Sequence, residues 1–124
     1  MSNNKPFRLG ERIKSFKFAF EGIVSFFRTE HNAWIHCLAA IVVIVAGFIY
    51  KVSETEWCWL IVAIAFVIIT EMINTAIEIL CDLISPEINS QIKRIKDISA
   101  GAVLIAALAA IAIGLIVFIP RIVH

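Results

Sequence analysis

The sequence predicts an all-α integral membrane protein, in which an amphipathic surface helix is followed by three transmembrane helices. Of its 124 residues, 60% are hydrophobic and only 17% are charged, and the mean hydropathy is +0.91. Soluble domains have about 45–50% apolar and about 25% charged residues. Backbone groups inside lipid must form their hydrogen bonds within the chain, so the apolar segments are expected to be helical. We predict one membrane domain, residues 1–124.

The first predicted helix, residues 11–29, is expected to lie in the membrane surface. Its apolar residues recur at helical spacing and its charges fall largely on the opposite side, which is typical of a basic amphipathic helix. The apolar positions are Phe16, Phe20, Ile23, Val24 and Phe27, and the charged positions are Lys14, Lys17 and Glu21. Such a helix can be a membrane anchor alone, or it can also be a lid that borders a site at the same depth.

Three transmembrane helices are predicted at residues 33–51, 56–84 and 97–120. Each contains an apolar run that reaches or nearly reaches the length needed to cross about 30 Å of hydrocarbon. The last has a small residue at every fourth position, namely Ala102, Ala106, Ala110 and Gly114. This spacing lets helices approach closely in lipid, although any alanine-rich span has some small residues in register. Three spans are few for a self-contained bundle, so a homo-oligomer is expected.

The distribution of basic residues predicts the orientation of the chain. Nine of the eleven Lys and Arg residues precede the first span or lie between the second and third, and two lie on the other side. The positive-inside rule therefore places the N-terminus in the cytoplasm. Trp34 suits the inner interface, and Trp57 and Trp59 suit the outer one. A net charge of +1 offers no general basis for binding nucleic acid.

The second span has a polar face. At 3.6 residues per turn, Glu71, Asn74, Glu78 and Asp82 fall on one stripe, and the span itself contains no cation to compensate them. A charge at membrane depth is costly unless it is paired, hydrated or neutralised. Glu71 lies within hydrocarbon near the inner boundary, where a partly dehydrated carboxylate suits a general base. Glu78 and Asp82 lie in a wetter zone, where carboxylates suit Mg²⁺.

Two further polar elements converge on the same membrane face. Glu30 precedes the first span, and the pair Lys96–Asp97 precedes the third. Acids that bind a metal, together with a cation that neutralises phosphate, are what phosphoryl transfer requires. The sequence has no GxxxxGK[ST] and no GxGxxG, so a nucleotide would be held by the ends of membrane helices. His36 is expected to be an interfacial residue hydrogen-bonded to a neighbour or a lipid headgroup.

Other readings of the polar stripe are a helix–helix seam without chemistry, a small oligomeric transporter or channel, and a non-catalytic membrane scaffold. Intramembrane acids are common in transporters. Here, however, the acids cluster at one end of the membrane instead of tracking across it, and residues 100–119 contain no polar side chain. The pattern therefore favours an enzyme at the cytoplasmic interface.

The motif EMINTAIEILCD at residues 71–82, followed by KDISAGAV from Lys96, resembles the prokaryotic diacylglycerol kinase family. The family pattern is Glu-x-x-Asn-[Ser/Thr]-Ala-x-Glu-x-x-x-Asp, and the resemblance extends over nearly the whole chain. The family includes undecaprenol kinases, to which the segments NTAIE, AGAV and WIH are more similar. The acceptor implied by the resemblance is therefore undecaprenol or diacylglycerol.

The resemblance also implies a homotrimer that uses ATP and Mg²⁺ to phosphorylate a lipid hydroxyl at the cytoplasmic interface. Glu71 corresponds to the general base, Glu30 and Glu78 correspond to metal ligands, and Asp82 corresponds to an acid that supports this network. The implied nucleotide-binding residues are Arg12, Phe18, Glu30, Asn74, Glu78, Glu87, Ile88, Asn89, Lys96 and Asp97. The implied lipid-binding residues are Gly22, Trp34, Glu71 and Ala100.

Overall fold

A computed structural model describes residues 6, 8–87 and 89–123. This part of the chain forms four α-helices, which are α1 (Leu9–Thr29), α2 (His31–Ile49), α3 (Glu54–Ile84) and α4 (Ser90–Val123). The helices α2, α3 and α4 are each long and apolar enough to cross a membrane. The prediction of an all-helical chain with three such helices is confirmed. The interfacial position of α1 and the trimer stay predictions.

The three long helices have the surface composition of a membrane domain. Large apolar side chains such as Phe48, Leu83 and Ile116 are exposed along them. A soluble monomer rarely exposes apolar surface on this scale, because it would cause association in water. With 31 residues, α3 is about 46 Å long by helical rise and exceeds about 30 Å of hydrocarbon. Its polar end can therefore extend beyond the apolar layer.

The turn between α2 and α3 brings these helices into an antiparallel hairpin. Lys51 adopts the left-handed conformation, with φ 52°, and the amide of Val52 donates to the carbonyl of Gly47 over 3.1 Å. This is the Schellman termination of a helix, in which glycine is the usual left-handed residue. Ser53 and Glu56 then form a reciprocal capping box that starts α3. Local hydrogen bonds thus define the turn that reverses the chain.

The helices α3 and α4 form a second antiparallel hairpin. Leu60 on α3 and Val117 on α4 belong to one buried apolar cluster. At this end Arg121 pairs with Glu56, and its Nη1 also donates to the carbonyls of Tyr50 and Lys51 over 3.2 and 3.3 Å. Arg121 therefore joins α4 to both α3 and the α2–α3 turn. At the other end of the hairpin, Lys96 of α4 pairs with Asp82 of α3.

The small residues of α4 serve packing within the chain, at least in part. Ala106 is 0% exposed and lies against α3, whereas Ala102 is exposed. Ser99, Ala106 and Val117 are the buried residues of α4. Their spacing lies near the heptad seam of an antiparallel helix pair, not on the strict four-residue repeat that the sequence suggested.

Several helix limits differ from the predicted ones. The largest difference is at α4, which begins at Ser90 and not at residue 97. The side chain of Asn89 accepts a hydrogen bond from the amide of Ile92 over 2.8 Å, so it caps α4 one turn earlier than the charged residues. The predicted start at residue 97 excluded the charged residues that come before the apolar run. Charged residues outside the apolar layer, however, do not end a helix. Conversely, α2 ends at Ile49 because Lys51 leaves the helical conformation.

We expect Gly47→Ala to destabilise the α2–α3 hairpin. A Cβ at this position would lie 2.5 Å from Cη2 of Trp57, whose ring packs against Phe48 at a centroid distance of 4.9 Å. Overpacking of this kind costs about 1–3 kcal/mol. Unfolding in detergent micelles, followed by tryptophan fluorescence, measures the loss. Gly101→Ala is the matched control, since nothing lies within 4 Å of its added Cβ; equal stability of the two variants would contradict the close contact.

Candidate active site

Glu71 is the buried member of the polar stripe. It lies in the C-terminal half of α3 and is 6% exposed. His36 of α2 faces it, and Nε2 of the imidazole lies 2.7 Å from Oε1 of the carboxylate. A buried carboxylate needs such a partner, because an unpaired charge in apolar surroundings is expensive. The neighbouring helix α2 therefore supplies a hydrogen-bonding partner for Glu71.

Asn74 and Glu78 form the next pair, one turn apart along α3. Nδ2 of Asn74 donates to Oε1 of Glu78 over 3.0 Å, and both residues are partly buried. The carbonyl oxygen Oδ1 of Asn74 is buried and has no hydrogen-bond partner among the described residues. A buried carbonyl oxygen normally has a donor or a cation within reach, so this atom points to a group that completes the site.

The last pair lies at the exposed end of the stripe. Nζ of Lys96 on α4 lies 2.7 Å from Oδ1 of Asp82, and the two side chains are 38% and 66% exposed. One turn away, Lys93 pairs with Asp97 over 2.6 Å. The described structure thus engages both Lys96 and Asp97, two of the predicted phosphate-binding residues, with protein partners. Surface pairs of this kind are weak enough to exchange partners with a ligand.

The other predicted residues lie at a helix junction, in the α3–α4 loop and at exposed helix positions. Glu30 lies at the junction of α1 and α2, where its backbone departs from helical geometry. Asn89 caps α4. Ile88 lies outside the described residues. Exposed positions on the helices are occupied by Arg12, Phe18, Gly22, Trp34 and Ala100, and Glu87 is exposed in the α3–α4 loop. Among the described residues, no hydrogen bond or ion pair joins Glu30, Glu87 or Asn89 to the three pairs of the stripe.

The donor set of the stripe fits Mg²⁺. Among the described residues, no three His, Cys, Asp or Glu side chains are grouped so that they could hold a metal ion alone. Mg²⁺ does not need such a cage, since it binds through one or two carboxylates while water and substrate phosphates complete its shell. The carboxylate of Glu78 and the unpartnered oxygen of Asn74 are adjacent hard ligands of the required type.

The partner of His36 was not predicted from the sequence. The expected hydrogen bond to a neighbour or a headgroup is, in the structure, a bond to Glu71 itself. The sequence carries one signal of this pairing, which is the position of both residues relative to the turn. His36 and Glu71 lie at similar distances along α2 and α3 from the turn near Lys51, so an antiparallel hairpin brings them to the same level. Depth alone does not say which faces of α2 and α3 meet.

Comparison with known proteins relates this geometry to a family. A sequence model described as prokaryotic diacylglycerol kinase matches residues 17–118. The chain belongs to the prokaryotic diacylglycerol kinase family. The resemblance noted for the 71–82 motif is thereby confirmed. The matched range includes all of α2 and α3 and most of α4, and hence the three pairs along the stripe.

Two named proteins are similar to the chain in sequence. The chain is 38% identical over 113 residues to an undecaprenol kinase of Bacillus subtilis (strain 168), covering 91% of this chain and 92% of the relative. It is 33% identical over 109 residues to a diacylglycerol kinase of Synechocystis sp., covering 87% of this chain and 62% of that protein. Together with three helices able to span a membrane, the family supports a membrane lipid kinase.

We expect the Asp82–Lys96 pair to contribute little to stability. Exposed pairs contribute about 0–1 kcal/mol, because water competes for both charges. Asp82→Asn, Lys96→Met and the double variant form a double-mutant cycle whose coupling free energy is measured by unfolding in detergent. Lys93→Met controls for loss of a lysine at the same end of α4. A coupling well above about 1 kcal/mol would show that the pair holds the α3–α4 hairpin together.

Proposed function

We propose that this membrane lipid kinase transfers the γ-phosphate of ATP to the hydroxyl group of a membrane alcohol at the cytoplasmic interface. The observation that carries the proposal is the buried carboxylate of Glu71, paired with His36 at one end of a polar stripe whose other end is exposed. A lipid hydroxyl is available only at the apolar boundary, and a triphosphate only in water. The stripe on α3 spans these two environments.

At the buried end, Glu71 accepts the proton of the lipid hydroxyl as the oxygen attacks the γ-phosphorus. The proton passes to the carboxylate, the new bond forms between the lipid oxygen and phosphorus, and the bond to ADP breaks. A general base works when it lies within hydrogen-bond reach of the proton and is ionised beforehand. His36 forms a hydrogen bond with one carboxylate oxygen of Glu71, Oε1, and this leaves Oε2 for the substrate.

At the exposed end, the family resemblance and the donor set support a role for Glu78 and Glu30 in holding Mg²⁺, which neutralises charge on the β- and γ-phosphates when bound. Asn74 orients Glu78 through its amide and presents its carbonyl oxygen to the same region. Lys96 exchanges Asp82 for a phosphate oxygen, and Asp82 keeps the lysine in place between turnovers. Positioning and electrostatic stabilisation supply most of the acceleration in such reactions.

Further contacts complete the proposed site. The nucleotide would be bounded by Asp97 and the α3–α4 loop, and by α1 lying in the interface. The proposed contacts with the nucleotide are Arg12, Phe18, Glu87, Ile88 and Asn89. The proposed contacts with the lipid are Gly22, Trp34 and Ala100. The chain would work as a homotrimer in the inner membrane, with its N-terminus in the cytoplasm. Identity and coverage are both higher for the undecaprenol kinase than for the diacylglycerol kinase, and this difference supports undecaprenol as the acceptor.

We expect the purified protein in lipid vesicles to transfer label from the γ-phosphate of ATP to undecaprenol, and more slowly to diacylglycerol.

Glu71→Gln should lower turnover about 100-fold or more, because it removes the base, while nucleotide binding remains near that of the wild type. Glu54→Gln, at the opposite end of α3, is the matched control. If neither alcohol is labelled, the proposed function is wrong; near-normal turnover of Glu71→Gln would remove Glu71 from the role of base.

We expect Glu78→Gln to raise the Mg²⁺ concentration that half-saturates nucleotide binding, by about tenfold or more, because one charged ligand is lost. The glutamine keeps an acceptor for Asn74, so the local structure of α3 is retained. Titration of Mg²⁺ against binding of a fluorescent ATP analogue measures the change, with Glu54→Gln again as control. An unchanged Mg²⁺ requirement would contradict the ligand role of Glu78.

A further inference from the structure

The contact between His36 and Glu71 has the length and the burial of a specific hydrogen bond. Its length of 2.7 Å is that of a charge-assisted hydrogen bond, and the two side chains are 25% and 9% exposed. An ionised carboxylate only accepts hydrogen bonds. With Glu71 ionised, as the proposed role of base requires, the proton of this contact lies on Nε2 of His36, whether the imidazole is neutral or charged.

The surroundings of the imidazole strengthen this bond. His36 lies at the margin of a cleft of about 450 Å³ between α2, α3 and α4. The other described residues that line the cleft are apolar, among them Ala40, Val67 and Ala107. A hydrogen bond in such surroundings is electrostatically stronger than in water, and loss of one partner costs more.

Packing alone does not orient the carboxylate of Glu71. The last torsion of a glutamate side chain is broad and roughly two-fold, so the two carboxylate oxygens exchange positions unless one is bound. The bond from His36 holds Oε1 and leaves Oε2 for another partner. A base that must meet a hydroxyl proton at one place gains directly from this restriction.

We infer that His36 is a positioning residue for the reaction, which donates from Nε2 to Oε1 of Glu71 so that Oε2 receives the proton of the lipid hydroxyl. This inference rests on the proposed lipid kinase function. His36 itself takes no proton from the substrate and does not touch the nucleotide. Its loss therefore lowers kcat and leaves the KM for ATP and the affinity for nucleotide unchanged.

The test compares two amides at this position. His36→Gln places its side-chain N–H near the position of the imidazole Nε2, whereas His36→Asn is one methylene shorter and cannot reach Oε1. Both keep a polar side chain at the cleft, so they differ mainly in the contact with Glu71. With wild-type lipid phosphorylation as the first measurement, we expect His36→Gln to retain most of kcat and His36→Asn to lose about 10- to 100-fold.

The outcomes separate the proposed lipid kinase function from the positioning role of His36. If the wild-type protein labels no lipid, the proposed function is wrong. If it labels lipid and both variants match its kcat, or both lose activity equally, the positioning role is overturned. A parallel rise in KM for ATP in His36→Asn would place His36 at the nucleotide instead.

A second measurement does not depend on the His36 variants folding. In the histidine-labelled wild-type protein, ¹⁵N NMR should detect one imidazole with a protonated Nε2 whose proton signal changes in Glu71→Gln. Absence of such a signal would overturn the assignment of His36 as donor.

Discussion

A carboxylate buried in a membrane domain is costly without a partner, and the pairing of Glu71 helps to set the packing of α2 against α3. Glu71 lies on a largely apolar helix whose own sequence contains no Lys, Arg or His. His36 meets the requirement from the adjacent helix, at a point that the α2–α3 turn brings to a similar depth. A rotation of α2 that separates the pair would leave the buried carboxyl group of Glu71 without this hydrogen bond, and the cost of losing the bond favours the observed rotation of the helix.

The three pairs along α3 form a gradient of exposure. The first pair joins the buried Glu71 to the partly exposed His36, the Asn74–Glu78 pair is half-buried, and the Asp82–Lys96 pair is largely exposed. The strength of an electrostatic contact follows the same order, because water weakens it increasingly toward the surface. One helix therefore offers a firmly held carboxylate at one end and exchangeable partners at the other. This is the arrangement that a reaction between a lipid and a soluble nucleotide needs.

Much of this fold could be predicted from the sequence, because its signals are local. Apolar length predicts the three spanning helices, and helical spacing places Glu71, Asn74 and Glu78 on one stripe of α3. The pairs across helices could not be predicted, since they depend on which faces meet after packing. The start of α4 was placed too late because the signal for it is the single cap at Asn89, not the apolar run. Burial of Ala106 against α3 likewise depends on the register between helices.

The two ends of the α3–α4 hairpin are closed by different means. At the end where α4 finishes, the guanidinium of Arg121 binds one carboxylate and two backbone carbonyls. At the other end a short loop between Ile84 and Ser90 joins the helices covalently, and an exposed ion pair links Asp82 to Lys96. Two helices joined by a short loop cannot separate far at that end, so only the end without a loop depends on side-chain contacts to stay closed. Arg121 therefore does with hydrogen bonds what the chain does covalently at the opposite end, and local opening of the hairpin would begin where this one side chain lets go.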